Sequence, residues 1–292
     1  MIVIQPNYFH VGYGRAASTW IQNKIFSNLD EVFLLDNSKE WLIKSAKSKV
    51  ELRKFFKKKH NKKYLQSEES FTGNEFRDFY EIPEKLSWVN PNAKILIIIR
   101  SQFTIIQSYY YLYLKKGGIL SFSDYFKIII ENKKFNYLEL YNAYRNFFGK
   151  NVKVLLFEDF LKTPKLFVNE ISQWLGLKNK FDINDYNKIN KSPNYSNLIL
   201  LKLLNKFLGI SKIPRGYSPL LSYKYENKIK LRRRLLKIVS PLNYIFNLIF
   251  FKKKIKLSNY ERDLLIENYG ESNVFLFKRL NKKISSYHYP RN

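Results

Sequence analysis

The chain has 292 residues, with 52 Lys and Arg against 24 Asp and Glu for a formal charge of +28; 45% of it is hydrophobic and 17% aromatic. Having no cysteine, it excludes disulfides, thiolate metal sites and cysteine nucleophiles, and its apolar content excludes a disordered basic tail. The positive excess points to anionic partners (nucleic acid, acidic membrane surfaces, or phosphate- and sulfate-bearing ligands), although the wealth of Lys, Asn, Ile, Phe and Tyr also fits AT-rich coding.

Met1 leads almost directly into an apolar run, Tyr8 to Val11, with no basic leader and no small-residue cleavage site, which predicts a cytoplasmic protein. Phe9 to Gly14 reads as a strand ending in glycines, and Thr19 to Leu29 as the helix after a tight turn. Val32 to Leu35 is a second strand and Trp41 to Phe56 a basic helix with Lys57-Lys58-Lys59 as its solvated end; His60, in the same basic run, takes no role. Tyr64 to Ser67 is a strand that carries Glu68 and Glu69 at its end. Ile95 to Ile99 is a continuous apolar run, the mark of a parallel strand covered on both faces. A helix from Phe103 to Lys115 stops at Gly117-Gly118; helices over Phe122 to Glu131 and Leu138 to Phe148 lead to another buried strand, Val152 to Phe157.

Strands alternating with helices predict an α/β fold, a three-layer parallel sheet flanked by helices. Beyond Lys178 the pattern thins: a loop over Asn184 to Ser196, a helix over Leu198 to Leu208, a loop over Ser211 to Ser222 and a helix pair over Ser258 to Leu280. One domain is expected, with residues 1–178 as α/β core and 179–292 as a mostly helical C-terminal extension. Ile238 to Phe251 is apolar and flanked by Lys230 to Arg234 and Lys252 to Lys254. As a helix it would reach ~21 Å, short of a ~30 Å hydrocarbon core. It reads either as an interfacial anchor or as an ordinary core helix with basic ends.

In such sheets ligands gather at the carboxyl ends of strands, and the first strand–helix turn is the favoured phosphate site. Here that turn is Gly12-Tyr13-Gly14-Arg15-Ala16-Ala17-Ser18-Thr19-Trp20. Small residues let backbone N–H groups approach an anion, the helix adds its dipole, Ser18 and Thr19 add hydroxyls, and Arg15 adds a fixed cation. As a Walker A loop it fails, because Ala17 replaces the second glycine and Ser18 stands where lysine belongs. On its own the stretch also reads as a tight turn with Ser and Thr capping a helix. Arg100 leaves the end of the Ile95–Ile99 strand, and Ser108 follows two turns into the next helix, so both can converge on one phosphate. Taken singly, they read as a surface ion-pair partner and an exposed hydroxyl.

The two stretches together resemble the phosphosulfate loop and the 3′-phosphate motif of the bacterial-type sulfotransferases that use 3′-phosphoadenosine 5′-phosphosulfate (PAPS). Arg15 takes the loop's cation position and Ala17 that of its common glycine. Val154 to Leu161 with Thr163-Pro164, Ile171 to Leu177, Glu267-Asn268-Tyr269, Asn273, Phe277 to Leu280 and Tyr287 to Pro290 are similar to further family segments. Residues 30–60, 75–92 and 211–257 are unplaced. The resemblance implies a P-loop-like fold, PAPS as donor, PAP as product and no metal. It implies that Gly14, Arg15, Ala16, Ala17, Ser18, Thr19 and Trp20 hold the 5′ side, and Arg100 and Ser108 the 3′-phosphate. Arg15 would offset charge on the departing bridging oxygen. The acceptor, by the same analogy, is a hydroxyl or amine of a glycan or glycolipid.

A base for that acceptor is expected at the end of the Tyr64–Ser67 strand, on the rim of the Gly12 loop. Glu69 leads, and its Ser67-x-Glu69 spacing is similar to a family segment; Glu68 is the rival, because successive residues at a strand end point opposite ways. Both also read as solvated charges capping the next turn. His10 is an alternative base, although inside a strand it reads better as a core histidine. Tyr109, Tyr110, Tyr111 and Tyr113 span every face of their helix, so core and acceptor-groove members are not separated. Two other functions fit the composition: a basic nucleic-acid-binding protein, and a membrane-surface protein on a degenerate fold. The ordered Arg15, Arg100 and Ser108 favour the enzyme, because neither alternative requires them. The expectation is a cytoplasmic sulfotransferase, peripheral at the inner face of the membrane through residues 228–256, with no specific nucleic acid partner.

Overall fold

The computed structural model describes residues 3–29, 31–35, 43, 45–57, 62–72, 79–177, 195–210, 227–236 and 255–291. β1 (Val3–Ile4) pairs in parallel with β4 (Phe56–Lys57) in a small sheet of its own. The principal sheet of the described residues has five parallel strands in the order β3 (Val32–Leu34), β5 (Lys63–Glu68), β2 (Tyr8–Gly12), β6 (Lys94–Ile99) and β7 (Val152–Leu156). The chain thus lays its central strand first, fills one side, then crosses to the other. That reversal leaves a crevice above the carboxyl end of β2. The register brings neighbouring strand ends to one rim: Val11 pairs with Glu68, and Gly12 with Ile98.

β6 shows why the sheet is covered twice. Ile95, Ile97 and Ile99 enter one apolar cluster and Leu96 and Ile98 the other, all at most 2% exposed. At ~1.5–3 kcal/mol for each large apolar side chain withdrawn from water, this strand alone contributes on the order of 10 kcal/mol. α1 (Ser18–Lys24) packs on the second cluster, while α2 (Lys49–Phe55), α3 (Glu81–Val89) and α4 (Gln102–Lys115) feed the first. α5 (Phe122–Glu131) and α6 (Tyr137–Phe148) also join the first; α7 (Phe157–Lys162) and α8 (Pro164–Leu175) cover the opposite face. The layered parallel α/β architecture is as expected.

Several expected boundaries move. Within the expected helix over Trp41 to Phe56, Ile43 and Ser45 are helical, residues 46–48 are not, and α2 starts at Lys49. Ser48 caps it, its hydroxyl accepting from the Glu51 N–H, and Phe56 turns away into β4. α3 was not expected at all; Pro83, within its first turn, suits a helix start. The loop expected over Asn184 to Ser196 lies outside the described residues up to 194, and α9 (Tyr195–Phe207) already begins at Tyr195. The helix pair expected over Ser258 to Leu280 is one helix. It begins at a Ser258/Glu261 capping box, and it holds no proline. The loop over 211–222, the apolar run over 238–251 and His60 lie outside the described residues.

The basic flank of that apolar run is partly inward. α10 (227–236) carries Arg232, 1% exposed, whose guanidinium donates to the carbonyls of Leu114 (3.2 Å) and Lys115 (2.5 Å) and to Asn205 Oδ1 (2.5 Å). Asn205 donates in turn to the Leu114 and Gly118 carbonyls. The last carbonyls of α4 carry the negative end of its dipole and have lone pairs to spare beyond the bonds from the 116–118 backbone, so a cation there caps the helix. Arg232 is therefore not available to a lipid headgroup. Among the described residues no helix is long and apolar enough to cross a membrane. The single helix at 259–279 becomes α11 (Asn259–Arg279).

Candidate active site

The turn after β2 is held from below by Tyr13, whose buried ring lies 5.3 Å from Phe135 and 5.2 Å from Tyr137 and whose hydroxyl donates to the Lys134 carbonyl (3.0 Å). Arg15 (φ 73°) and Ala17 (φ 66°) are both left-handed, a conformation that costs a side-chain-bearing residue ~1–2 kcal/mol. Such strain persists where surrounding packing dictates it, and it gathers at functional turns. Ala17, not a Ser or Thr, occupies the cap position; Ser18 is the first helical residue and is buried. Gly14 leaves room for the Glu69 carboxyl: a Cβ there would stand 2.7 Å from Glu69 Oε2 and 3.4 Å from the Tyr109 hydroxyl, and the carboxyl would have to move aside.

Beside this turn a line of contacts ties together three of the residues singled out from sequence. Arg15 Nε donates to Ser108 Oγ (2.7 Å), and Arg100 Nη1 donates to the Arg15 carbonyl (2.8 Å). Arg100 Nε donates to Thr104 Oγ1 (2.9 Å), and its guanidinium lies 4.7 Å from the Phe157 ring centre. Ser108 thus pairs with Arg15 rather than with Arg100. Thr104, Ser108 and Tyr111 (5.7 Å from the Arg15 guanidinium) are spaced i, i+4, i+7, one face of α4 laid along the cleft. Thr104 was not singled out, although its position four residues after Arg100 is the signal that would have found it. Among the described residues, the two Nη groups of Arg15 and Nη2 of Arg100 carry no hydrogen bond. Burial pushes the Arg100 guanidinium below its ordinary pKa, and the Arg15 charge adds to this against the opposing Glu158 carboxylate. Two guanidinium groups so close favour an anion between or beside them.

Glu69 opens a short 3-10 turn, Glu69–Thr72, directly after β5. The residue is exposed, and its carboxyl lies against Gly14 among protein atoms. That crowding raises its pKa; the charges of Lys116 and Arg15 and a hydrogen bond from Ser18 oppose the rise. Glu68 turns the other way, its Oε1 accepting from the Ser70 N–H (3.0 Å). His10 is 1% exposed, with Nδ1 2.7 Å from Ser67 Oγ and its ring edge-on to Phe26; burial lowers its pKa to about 3, so it is neutral at ordinary pH.

The remaining predicted residues stand apart from this line. Trp20 is 3% exposed with its ring 4.7 Å from Phe160, Ala16 is buried in the same cluster, and Thr19 is exposed. The tyrosines now separate: Tyr110 and Tyr113 are core, with hydroxyls engaged by the 119–120 backbone, whereas Tyr109 and Tyr111 are half-buried on the side of the turn. Among the described residues no group of three His, Asp or Glu is arranged to hold a metal.

No protein-family model and no curated protein matches the chain. Among solved structures it is similar to a sulfotransferase from Alicyclobacillus acidocaldarius (18% identity, covering 71% of this chain and 93% of that one, TM-score 0.49). It is also similar to mouse sulfotransferase SULT7A1 complexed with PAP (13%, 85% and 90%, TM-score 0.42) and to the sulfotransferase domain from the curacin biosynthetic pathway (10%, 77% and 98%, TM-score 0.40). At TM-scores below 0.5 these are likenesses only, and nothing about the chemistry of this chain follows from them.

Proposed function

We propose that the chain is a sulfotransferase that takes the sulfuryl group of PAPS, releases PAP and delivers the group to a hydroxyl or amine of a glycan or glycolipid. One observation carries the reading: Arg15, Ser108 and Arg100 meet in a continuous line of contacts, with the Glu69 carboxyl pressed on the same turn. The residues suit a nucleotide that is anionic at both ends, since among the described residues Arg15 and Arg100 each keep guanidinium N–H groups in reserve. PAPS, when bound, supplies a sulfur whose bond to the 5′-phosphate oxygen breaks as a bond to the acceptor oxygen or nitrogen forms. Arg15 offsets the negative charge left on the nucleotide side. Glu69 takes the acceptor's proton, and a carboxyl held above the ordinary glutamate pKa is the stronger base for it. Arg100 holds the 3′-phosphate, which ATP lacks. Peripheral association with an anionic membrane on the cytoplasmic side is part of the proposal; on α10 it falls to the exposed Lys228, Lys230, Arg233 and Arg234, not to Arg232.

The test is thermal stabilisation by PAP against 5′-AMP. PAP is expected to raise the melting temperature well beyond AMP; equal shifts would remove Arg100 from the 3′-phosphate. Transfer of label from PAPS into cell-envelope fractions then identifies the acceptor.

A further inference from the structure

Resting on that reading, we propose that the segment Tyr287–Pro290, acting through Tyr289 and Glu158, positions Arg100 and so sets selectivity for nucleotides that carry a 3′-phosphate. The turn that bears Arg100 is tied to this segment residue by residue. The Ser101 N–H donates to Glu158 Oε1 (2.9 Å), and the Ser101 hydroxyl donates to the His288 carbonyl. Glu158 Oε2 accepts from the Tyr289 hydroxyl (2.9 Å), and Tyr289 is only 3% exposed. Gln102 Nε2 donates to Asn273 Oδ1 (3.0 Å), and Asn273 Nδ2 donates to the Pro290 carbonyl (3.0 Å). From the other side the Tyr137 hydroxyl donates to the Arg100 carbonyl (2.5 Å).

Glu158 is the pivot. Its charge acts on Arg100, yet its two oxygens are engaged by Ser101 and Tyr289, so it orders the backbone of the turn instead of capturing the guanidinium. Without the Tyr289 hydroxyl, Oε2 loses its donor and the carboxylate turns to the nearest cation, Arg100, in competition with a phosphate. A second anchor holds the segment away from that turn: the Tyr287 hydroxyl donates to Asp159 Oδ1 (2.7 Å) and Lys282 Nζ pairs with Asp159 Oδ2 (2.8 Å). The two anchors can therefore be cut separately.

Dissociation constants for PAP and for 5′-AMP, measured on the full chain, test this. Tyr289→Phe is expected to weaken PAP about tenfold, the loss of one hydrogen bond to a charged group, and to leave AMP unchanged. Asp159→Asn is expected to lower the melting temperature while keeping the wild-type ratio of the two affinities. Equal weakening of PAP and AMP by Tyr289→Phe, or no weakening of either, overturns the positioning role. Should Tyr289→Phe not fold, hydrogen exchange on the wild-type chain answers the same question, because coupling is reciprocal: amides of 284–291 slow more with PAP than with AMP, and equal protection overturns the proposal. A wild-type chain that fails to distinguish PAP from AMP overturns the reading of Arg100 itself. A wild-type chain that distinguishes them, joined by a Tyr289→Phe variant that does so equally well, overturns only the role of the segment.

Discussion

Two arginines lie at opposite ends of α4, both drawn in from solvent and both with burial pulling their pKa down, yet their donors are used differently. At the carboxyl end Arg232 delivers its Nη groups to the helix's own last carbonyls and to Asn205. At the amino end Arg100 gives one Nη group to the Arg15 carbonyl and, among the described residues, holds the other unengaged, beside a second guanidinium. A buried cation alone does not mark a binding site. What distinguishes the two ends, among the described residues, is whether the Nη donors are consumed by the fold or held for something that is not part of it.

The largest effects are expected at the amino end. Glu69→Gln should lower turnover by about 10²–10⁴-fold, and Arg15→Ala by about 10²–10³-fold, each with PAP affinity far less affected; full turnover in either variant removes that residue from the chemistry. A crossed pair then tests the contrast between the arginines. Arg100→Met should weaken PAP by at least about tenfold and lower the melting temperature less than Arg232→Met does. Arg232→Met should cost roughly 1–3 kcal/mol of unfolding free energy, because the Lys115 carbonyl and Asn205 Oδ1 lose the donor that Arg232 gives them, and should leave the PAP dissociation constant alone. If the two variants exchange these phenotypes, the contrast between the two ends of α4 is wrong.

The smallest effect separates function from stability at Glu69. Its folded pKa lies above the ordinary glutamate value of 4.5, so the folded chain binds that proton more tightly than the unfolded one. The stability this lends is fully present below the ordinary value and is lost as pH rises through the raised one. Glu69→Gln should therefore melt slightly above wild type at pH 7, the gap closing on acidification; a gap that widens toward acid reverses that sign.

Much of the fold was legible because its signals are local. The Ile95–Ile99 run reads as a doubly covered strand without knowledge of its neighbours, and α5 starts where Ser121 can accept from the Asp124 N–H. What was not legible depends on tertiary partners. Arg232, for one, is drawn inward by carbonyls well over a hundred residues earlier in the chain. At the site, Arg15, Arg100 and Ser108 were legible as a set, but not their pairing. Glu68 and Glu69 were left as rivals because strand alternation was assumed to continue; β5 instead passes into a 3-10 turn at Glu69, and the period of two no longer applies. Glu158 and Tyr289 lay inside segments noted for likeness, yet nothing local says that one holds the other.

β2 carries the turn of the candidate site, yet it cannot complete its ladder early. His10 meets Ser67 across 57 residues of chain, and its other neighbour, Leu96, comes later still. Contacts this distant in sequence close slowly. The strained Arg15 and Ala17 conformations have nothing to enforce them until β5, β6 and α4 are in place. The turn of the candidate site is therefore a late product of folding, and during synthesis the Tyr8–Val11 segment must wait without its partners, an interval in which exposed apolar surface favours aggregation.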